Sequence, residues 1–171
     1  MKKRVQIVLA TTAVSLFICG IASAQPIRTG LATYFSGPQG CPTGKVLNSL
    51  YCQGPYCSDI YGYCVTPTPS VTGSDEWTNW VSSGEIWCDY GHVANGFEVS
   101  GVYSPYVRLR CIELSGATQN EGRCYWSDWF SEEWGDGDDY YAVCDYRHYV
   151  HGAECSGTNC DNMRIRCCRY D

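Results

Sequence analysis

The chain has 171 residues, with 12 Lys and Arg against 18 Asp and Glu, and 13 cysteines. Three of the basic residues and one cysteine fall in residues 1–24, which hold no acid, so residues 25–171 carry nine basic and eighteen acidic side chains, a net charge of −9, and twelve cysteines. Such a surface repels nucleic acid and anionic lipid and excludes both as partners, and a stretch of 147 residues suits one domain with its own core.

The N-terminus opens with the cationic "MKKR", continues through a mostly apolar run from Val5 to Ile18, and reaches the small-residue triplet Ala22-Ser23-Ala24. That order is a secretory signal peptide over residues 1–24. The run is too short, and too interrupted by Gln6 and threonines, to anchor the chain in a bilayer. Nothing later is apolar enough to insert in a membrane, so the product over 25–171 is expected to be secreted and extracellular, or periplasmic. An even, dense cysteine set in an exported chain is the signature of a disulfide framework.

Three segments then align without a gap: "CPTGKVLNSLYCQGPYCSDIYGYC" (Cys41 to Cys64), "CDYGHVANGFEVSGVYSPYVRLRC" (Cys88 to Cys111) and "CDYRHYVHGAECSGTNCDNMRIRC" (Cys144 to Cys167). Each spans 24 residues, and the second and third are identical at eleven positions. Upstream of each stands an aromatic-apolar-serine triplet: Tyr34-Phe35-Ser36, Trp80-Val81-Ser82 and Trp129-Phe130-Ser131. In two copies another tryptophan, Trp77 or Trp126, precedes it by three residues. Self-similarity on this scale means one supersecondary unit used three times, over about 30–66, 76–114 and 123–168.

The repeats also choose a pairing. The middle copy has Val99 and Ser104 where its sisters have Cys52, Cys57 and Cys155, Cys160, so both inner cysteines vanish together while the outer two remain. Inner therefore pairs with inner, Cys52–Cys57 and Cys155–Cys160, and outer with outer, Cys41–Cys64, Cys88–Cys111 and Cys144–Cys167. Cys124 and Cys168 are left to bridge each other. No unpaired thiol remains for a metal or a nucleophile.

Period-two alternation in Val107, Leu109 and Cys111 against Arg108 and Arg110 marks a strand with one buried face, and the stretch from Val93 to Val99 alternates with breaks at Asn95 and Glu98. Gly54, Gly101 and Gly157 fall between the two strands of each copy, where a turn is needed. Each unit is thus expected to be a hairpin with the tryptophan segment as a further strand, and Val65 to Asp75 and Ser115 to Arg123 are expected as loops. The recurring Trp77, Trp80, Trp126 and Trp129 are expected as packing residues, and the unrepeated Trp87 and Trp134 as exposed ones. His92 and His148 share a repeat position at a strand start and are expected on the surface, and His151 shares no such role. The class is all-β: three disulfide-stapled repeats in a β-prism-like arrangement, with a β-trefoil-like one as the alternative.

The stretch "WTNWVSSGEIWCDYGHVANGFEVSGVYSPYVRLRC" resembles the repeat of the vitelline membrane outer layer protein I family, through Trp77, Trp80, Cys88, Gly91, Ala94, Gly96, Phe97, Val107, Arg108, Leu109 and Cys111. "WSDWFSEE" and "NMRIRC" repeat the pattern in the third unit, and the first unit matches poorly. The family's acidic stretch before its closing strand is replaced here by short turns. The resemblance implies a β-prism of three sheets, an extracellular coat protein and a lectin-like surface.

The third unit carries an insertion, "SEEWGDGDDYYAVC". It brings together Glu132, Glu133, Asp136, Asp138 and Asp139 with Trp134, Tyr140 and Tyr141, and no basic residue lies between Arg123 and Arg147. Rings stack on the apolar faces of pyranoses and carboxylates accept paired hydroxyl hydrogens, so this loop is the candidate ligand site. Asp136, Asp138 and Asp139 also offer oxygens to calcium, though without the rest of an EF-hand. No other cofactor or metal is expected. A glycosidase would need two carboxylates about 5 to 9.5 Å apart across a cleft with one of them buried, which neighbours on an exposed loop rarely supply. No Gly-x-Ser-x-Gly or His-Glu-x-x-His occurs. The expectation is a non-catalytic carbohydrate-binding protein whose partner is a glycan or a cell-surface or matrix component. The alternatives are a structural coat or adhesion protein and a toxin-like or inhibitory effector that presents the acidic loop to a protein target.

Overall fold

The computed structural model describes residues 26–30, 37–53, 57, 59–101, 106–131 and 141–171. Residues 1–24, expected as a signal peptide, lie outside them. The chain builds three four-stranded antiparallel sheets from the same parts. The first unit supplies β1 (Ile27–Arg28), β2 (Gln39–Gly40) and the hairpin β3 (Val46–Gln53) with β4 (Asp59–Val65). The second supplies β5 (Val71–Trp77), β6 (Gly84–Trp87) and the hairpin β7 (His92–Ser100) with β8 (Tyr106–Leu114). The third supplies β9 (Gln119–Trp126), β10 (Tyr141–Val143) and the hairpin β11 (His148–Ser156) with β12 (Asn162–Tyr170).

Each hairpin keeps its own outer strand: β1 on β4, β5 on β8, β9 on β12. The short strand goes elsewhere. β2 pairs with β7, β6 with β11, and β10 with β3, so each unit lends an arm to the next and the third closes the cycle on the first. A backbone bond at the root of each arm repeats the relation. Cys41 donates to the Asn95 carbonyl at 2.7 Å, Cys88 to His151 at 2.8 Å and Cys144 to Asn48 at 2.8 Å.

The six disulfides are Cys41–Cys64, Cys52–Cys57, Cys88–Cys111, Cys124–Cys168, Cys144–Cys167 and Cys155–Cys160, the pairing expected from the repeat. Their placement adds meaning that spacing could not give. Cys41, Cys88 and Cys144 each directly follow an exported arm, whereas Cys64, Cys111 and Cys167 sit in the unit's own hairpin. Each outer bridge therefore ties two sheets together. Six disulfides fit an oxidising compartment, and among the described residues no helix is long and apolar enough to cross a membrane.

Asn48, Asn95 and His151 occupy one repeat position, and the ladder of each hairpin shifts register there. This bulge explains the broken alternation, because it adds a residue and lets neighbours on both sides turn inward. Beyond it the inner faces are regular: Leu50, Phe97 and Ala153, then Cys52, Val99 and Cys155, meet Ile60, Val107 and Met163 in one buried cluster. Large against small at equivalent positions, Phe97 against Ala153, fills a common core without overpacking. A second cluster closes one end with Val46, Val93, Tyr149, Leu114 and Tyr170.

Two expected loops are shorter than the sequence suggested. Strand β4 runs to Val65 and β5 begins at Val71, and β9 begins at Gln119 rather than after Arg123. Outer strands bury little of either face, so they are held by backbone pairing and leave no hydrophobic period to read.

Candidate functional site

The tryptophans expected as packing residues pack on the outer faces, against arginines. The Arg108 guanidinium sits 4.4 Å from the Trp77 ring and 4.5 Å from Trp80, and its NH2 group meets Glu98 at 2.5 Å. Arg164 repeats this between Trp126 and Trp129, both at 4.7 Å, with Glu154 at 2.5 Å. Local structure explains the spacing. Trp77 and Trp126 end the outer strands opposite Arg110 and Arg166. The Thr78 and Ser127 hydroxyls then accept the Leu109 and Ile165 amides at 2.9 and 3.0 Å, and Val81 and Phe130 rejoin the sheet by isolated bridges. The backbone arch between those points folds the second indole over the arginine's other face.

The first sheet does it differently. Tyr51 and Tyr61 replace the Glu–Arg pair and stack at 4.8 Å, Tyr141 of the arm stacks on Tyr51 at 4.9 Å, and Arg28 lies 3.7 Å above Tyr61. The row Tyr141–Tyr51–Tyr61–Arg28 stands upright across four strands, so inner ring faces are spent on each other. Burial raises the Tyr51 hydroxyl's pKa, with Tyr63 adding to it. Tyr141 belongs to the short arm β10 at the sheet's margin, so its outward face is the one this row leaves open; the residue is 46% exposed.

Tyr141 also lines a groove of about 350 Å³ between β10 and the segment after β9. Its aromatic walls are Tyr125, Trp129, Phe130 and Tyr141, and its carboxylates are Asp128 and Asp145. Trp129 is 41% exposed. Tyr125 shapes one end: its hydroxyl accepts the Asp145 amide at 2.8 Å and its ring lies 5.4 Å from His148. Burial and the Asp145 carboxylate hold the Tyr125 hydroxyl above its ordinary pKa, so it stays protonated and can donate.

Of the ligand residues expected from sequence, Tyr141 is in this groove. Glu132, Glu133, Trp134, Asp136, Asp138, Asp139 and Tyr140 lie outside the described residues. Their segment joins Ser131, next to the groove-lining Phe130, to Tyr141, so it starts and ends at the groove. Sequence reasoning missed Trp129, Asp128, Tyr125 and Asp145. The usable signal was Tyr125 itself, an aromatic at the repeat position that holds Glu76 in the second unit. Among the described residues no three His, Cys, Asp or Glu side chains converge to hold a metal ion.

His151, which shares no surface position with His92 and His148, is almost fully buried. Its Nδ1 lies 3.0 Å from the His92 carbonyl and 3.1 Å from the Tyr170 hydroxyl, and its Nε2 lies 3.3 Å from the Gln119 amide nitrogen. These contacts assign the proton to Nδ1, leaving Nε2 to accept from Gln119. Burial pushes the imidazole pKa down, so it is neutral. Asn48 donates to the equivalent carbonyl, that of His148, at 3.2 Å, so His151 performs the same buried stitch between units.

No protein-family model matches the chain, and no curated protein or solved structure is significantly similar to it.

Proposed function

We propose that the protein is a secreted carbohydrate-binding protein, without catalysis, that receives a sugar ring in the groove between β10 and residues 125–130. The observation that carries this reading is that the exposed aromatic residues Tyr141 and Trp129 line one groove with Asp128 and Asp145. Rings bind the apolar face of a pyranose while carboxylates accept its hydroxyl hydrogens, and both kinds of group line one groove. The sequence between the groove residues Phe130 and Tyr141 adds Trp134 and five carboxylates, side chains of the kinds that bind sugars. The signal-like N-terminus and the oxidised cysteines support export. The resemblance to vitelline membrane outer layer protein I repeats supports a glycan-bearing coat or matrix as the setting. Asp128 and Asp145 are exposed, which favours binding over hydrolysis, because a general acid needs burial to hold its proton at neutral pH.

A glycan array tests this. The wild type binds a defined set of glycans, and Trp129→Ala, Tyr141→Ala, Trp134→Ala and Asp138→Ala each weaken that binding while melting stays cooperative. Full binding by all four variants overturns the reading. Calcium is not required by it: chelation leaves binding and melting temperature unchanged, whereas a lowered melting temperature assigns a calcium ion to the loop of Asp136, Asp138 and Asp139.

A further inference from the structure

The repeat that builds the first groove builds a second. Residues 76–79 and the end of β6 enclose about 260 Å³, lined by Glu76, Trp77, Asn79, Trp87, Asp89 and His92 among others. These align with Tyr125, Trp126, Asp128, Val143, Asp145 and His148 of the third unit. The frame is shared at Glu76 and Tyr125, Thr78 and Ser127, Asn79 and Asp128, Trp87 and Val143, and Asp89 and Asp145. Trp80 and Glu85, the counterparts of Trp129 and Tyr141, stand outside the second groove's lining, so its chemistry differs. Where Tyr125 holds the Asp145 amide and covers that end of the first groove, the second has the exposed carboxylate of Glu76, and where Val143 stands it has the indole of Trp87, 49% exposed.

The groove therefore joins two carboxylates, Glu76 and Asp89, to two indoles. Neither carboxylate has a cationic partner among the described residues, whose ion pairs are Arg108–Glu98, Arg110–Asp75, Arg164–Glu154, Arg166–Glu121 and Arg169–Asp171. The guanidiniums nearest the indoles, Arg108 at 4.4 Å from Trp77 and Arg166 at 5.5 Å from Trp87, are those already neutralised by Glu98 and Glu121. Two uncompensated negative charges beside an open indole favour an organic cation, which gains from both the carboxylates and the ring quadrupole.

We propose that this second groove binds an amino sugar through its ammonium group, as presented by a deacetylated, positively charged polysaccharide. The proposal rests on the reading that the equivalent groove holds a pyranose ring. The half-exposed flat indole of Trp87 favours a rigid sugar ring over a flexible lysine side chain, and the absence of a third converging ligand among the described residues favours an ammonium over a metal ion.

Calorimetric titration with a tetramer of β-1,4-linked glucosamine, its N-acetylated counterpart and tetralysine tests the proposal. The glucosamine tetramer binds, and its affinity falls about tenfold as salt rises to several times physiological strength. Glu76→Gln with Asp89→Asn lowers that affinity by about tenfold or more, as expected for an uncovered carboxylate–ammonium pair in a groove. Glu76→Tyr, which installs the third unit's side chain, does the same, and Trp129→Ala leaves it intact. Equal binding of the acetylated tetramer, an unchanged affinity in the Glu76 variants, or equal binding of tetralysine overturns the proposal. If Trp129→Ala and Tyr141→Ala fail to weaken neutral glycans, the first-groove reading falls instead. Both Glu76 and Asp89 are exposed, so the variants fold, and their melting temperature verifies it.

Discussion

The carbonyl of Asn48 accepts the amide hydrogen of Cys144 at 2.8 Å, across 96 residues of chain, and this bond fixes the third unit's arm to the first unit's hairpin. The same residue's side chain ties that arm back to its own unit, because Cys144 bridges to Cys167 in β12. Hydrogen bond and disulfide act at one point where the cycle of sheets closes.

The outer bridges accordingly matter more than the inner ones. They close loops of 23-residue separation against five for the inner pair, and chain entropy alone then gives about 3.5 kcal/mol for an outer bridge and about 2 kcal/mol for an inner one. Replacing Cys88 and Cys111 together by Ser lowers unfolding free energy in urea more than replacing Cys52 and Cys57, by at least about 1 kcal/mol. Equal losses would show that arm closure contributes nothing.

Stability should fall with mild acid through His151. Its pKa in the folded protein lies below the ordinary 6.5 because burial disfavours the imidazolium, so the folded state binds fewer protons than the unfolded chain. The contribution is full above pH 6.5 and is lost as pH falls below it towards the folded pKa, at no more than about 1.4 kcal/mol per pH unit. Urea midpoints between pH 5 and 7.5 measure the slope. His151→Asn installs the side chain with which Asn48 donates to the equivalent carbonyl, keeps the donation to the His92 carbonyl, and flattens the curve over that range.

The arginine sandwiches should tolerate no lysine. Two ring contacts and an ion pair together give Arg164 about 1–3 kcal/mol, and an ammonium cannot present two flat faces. Arg164→Lys lowers the melting temperature by several degrees, whereas Arg123→Lys, on the exposed outer strand, leaves it unchanged within about a degree.

Backbone approach at the arms gives a steric test. A Cβ on Gly152 would stand 2.7 Å from the Ile86 carbonyl oxygen, so Gly152→Ala pushes β6 away and costs about 1–3 kcal/mol. The opposite sign is expected at Arg147, whose φ of 62° corresponds to glycines at 44 and 91 with φ of 79° and 82°. Arg147→Gly relieves that strain and raises stability by up to about 1 kcal/mol, net of the added freedom of the unfolded chain.

The hairpins, the three units and the cysteine pairing were legible because each leaves a periodic or repeated mark in the chain. Leu50, Phe97 and Ala153 share a parity, and Val99 and Ser104 report a bridge by lacking it. The arms were not legible, since two to four residues such as Gln39–Gly40 carry no period and their partners lie a unit away. Trp129 was read as packing because it recurs, yet recurrence here preserves an arginine sandwich on the outer face. The groove joins residues on either side of the very insertion that drew attention, so the loop was legible and its setting was not. His151 showed no match in type to Asn48 and Asn95, though it fills the same buried place.

Indole N–H resonances offer the most direct test of the groove as a binding site. The chain has six tryptophans, and in a titration with a glycan selected from the array the Trp129 signal moves saturably, accompanied by Trp134 from the adjoining segment. Saturable glycan binding that leaves the Trp129 signal in place would contradict the assignment of the groove.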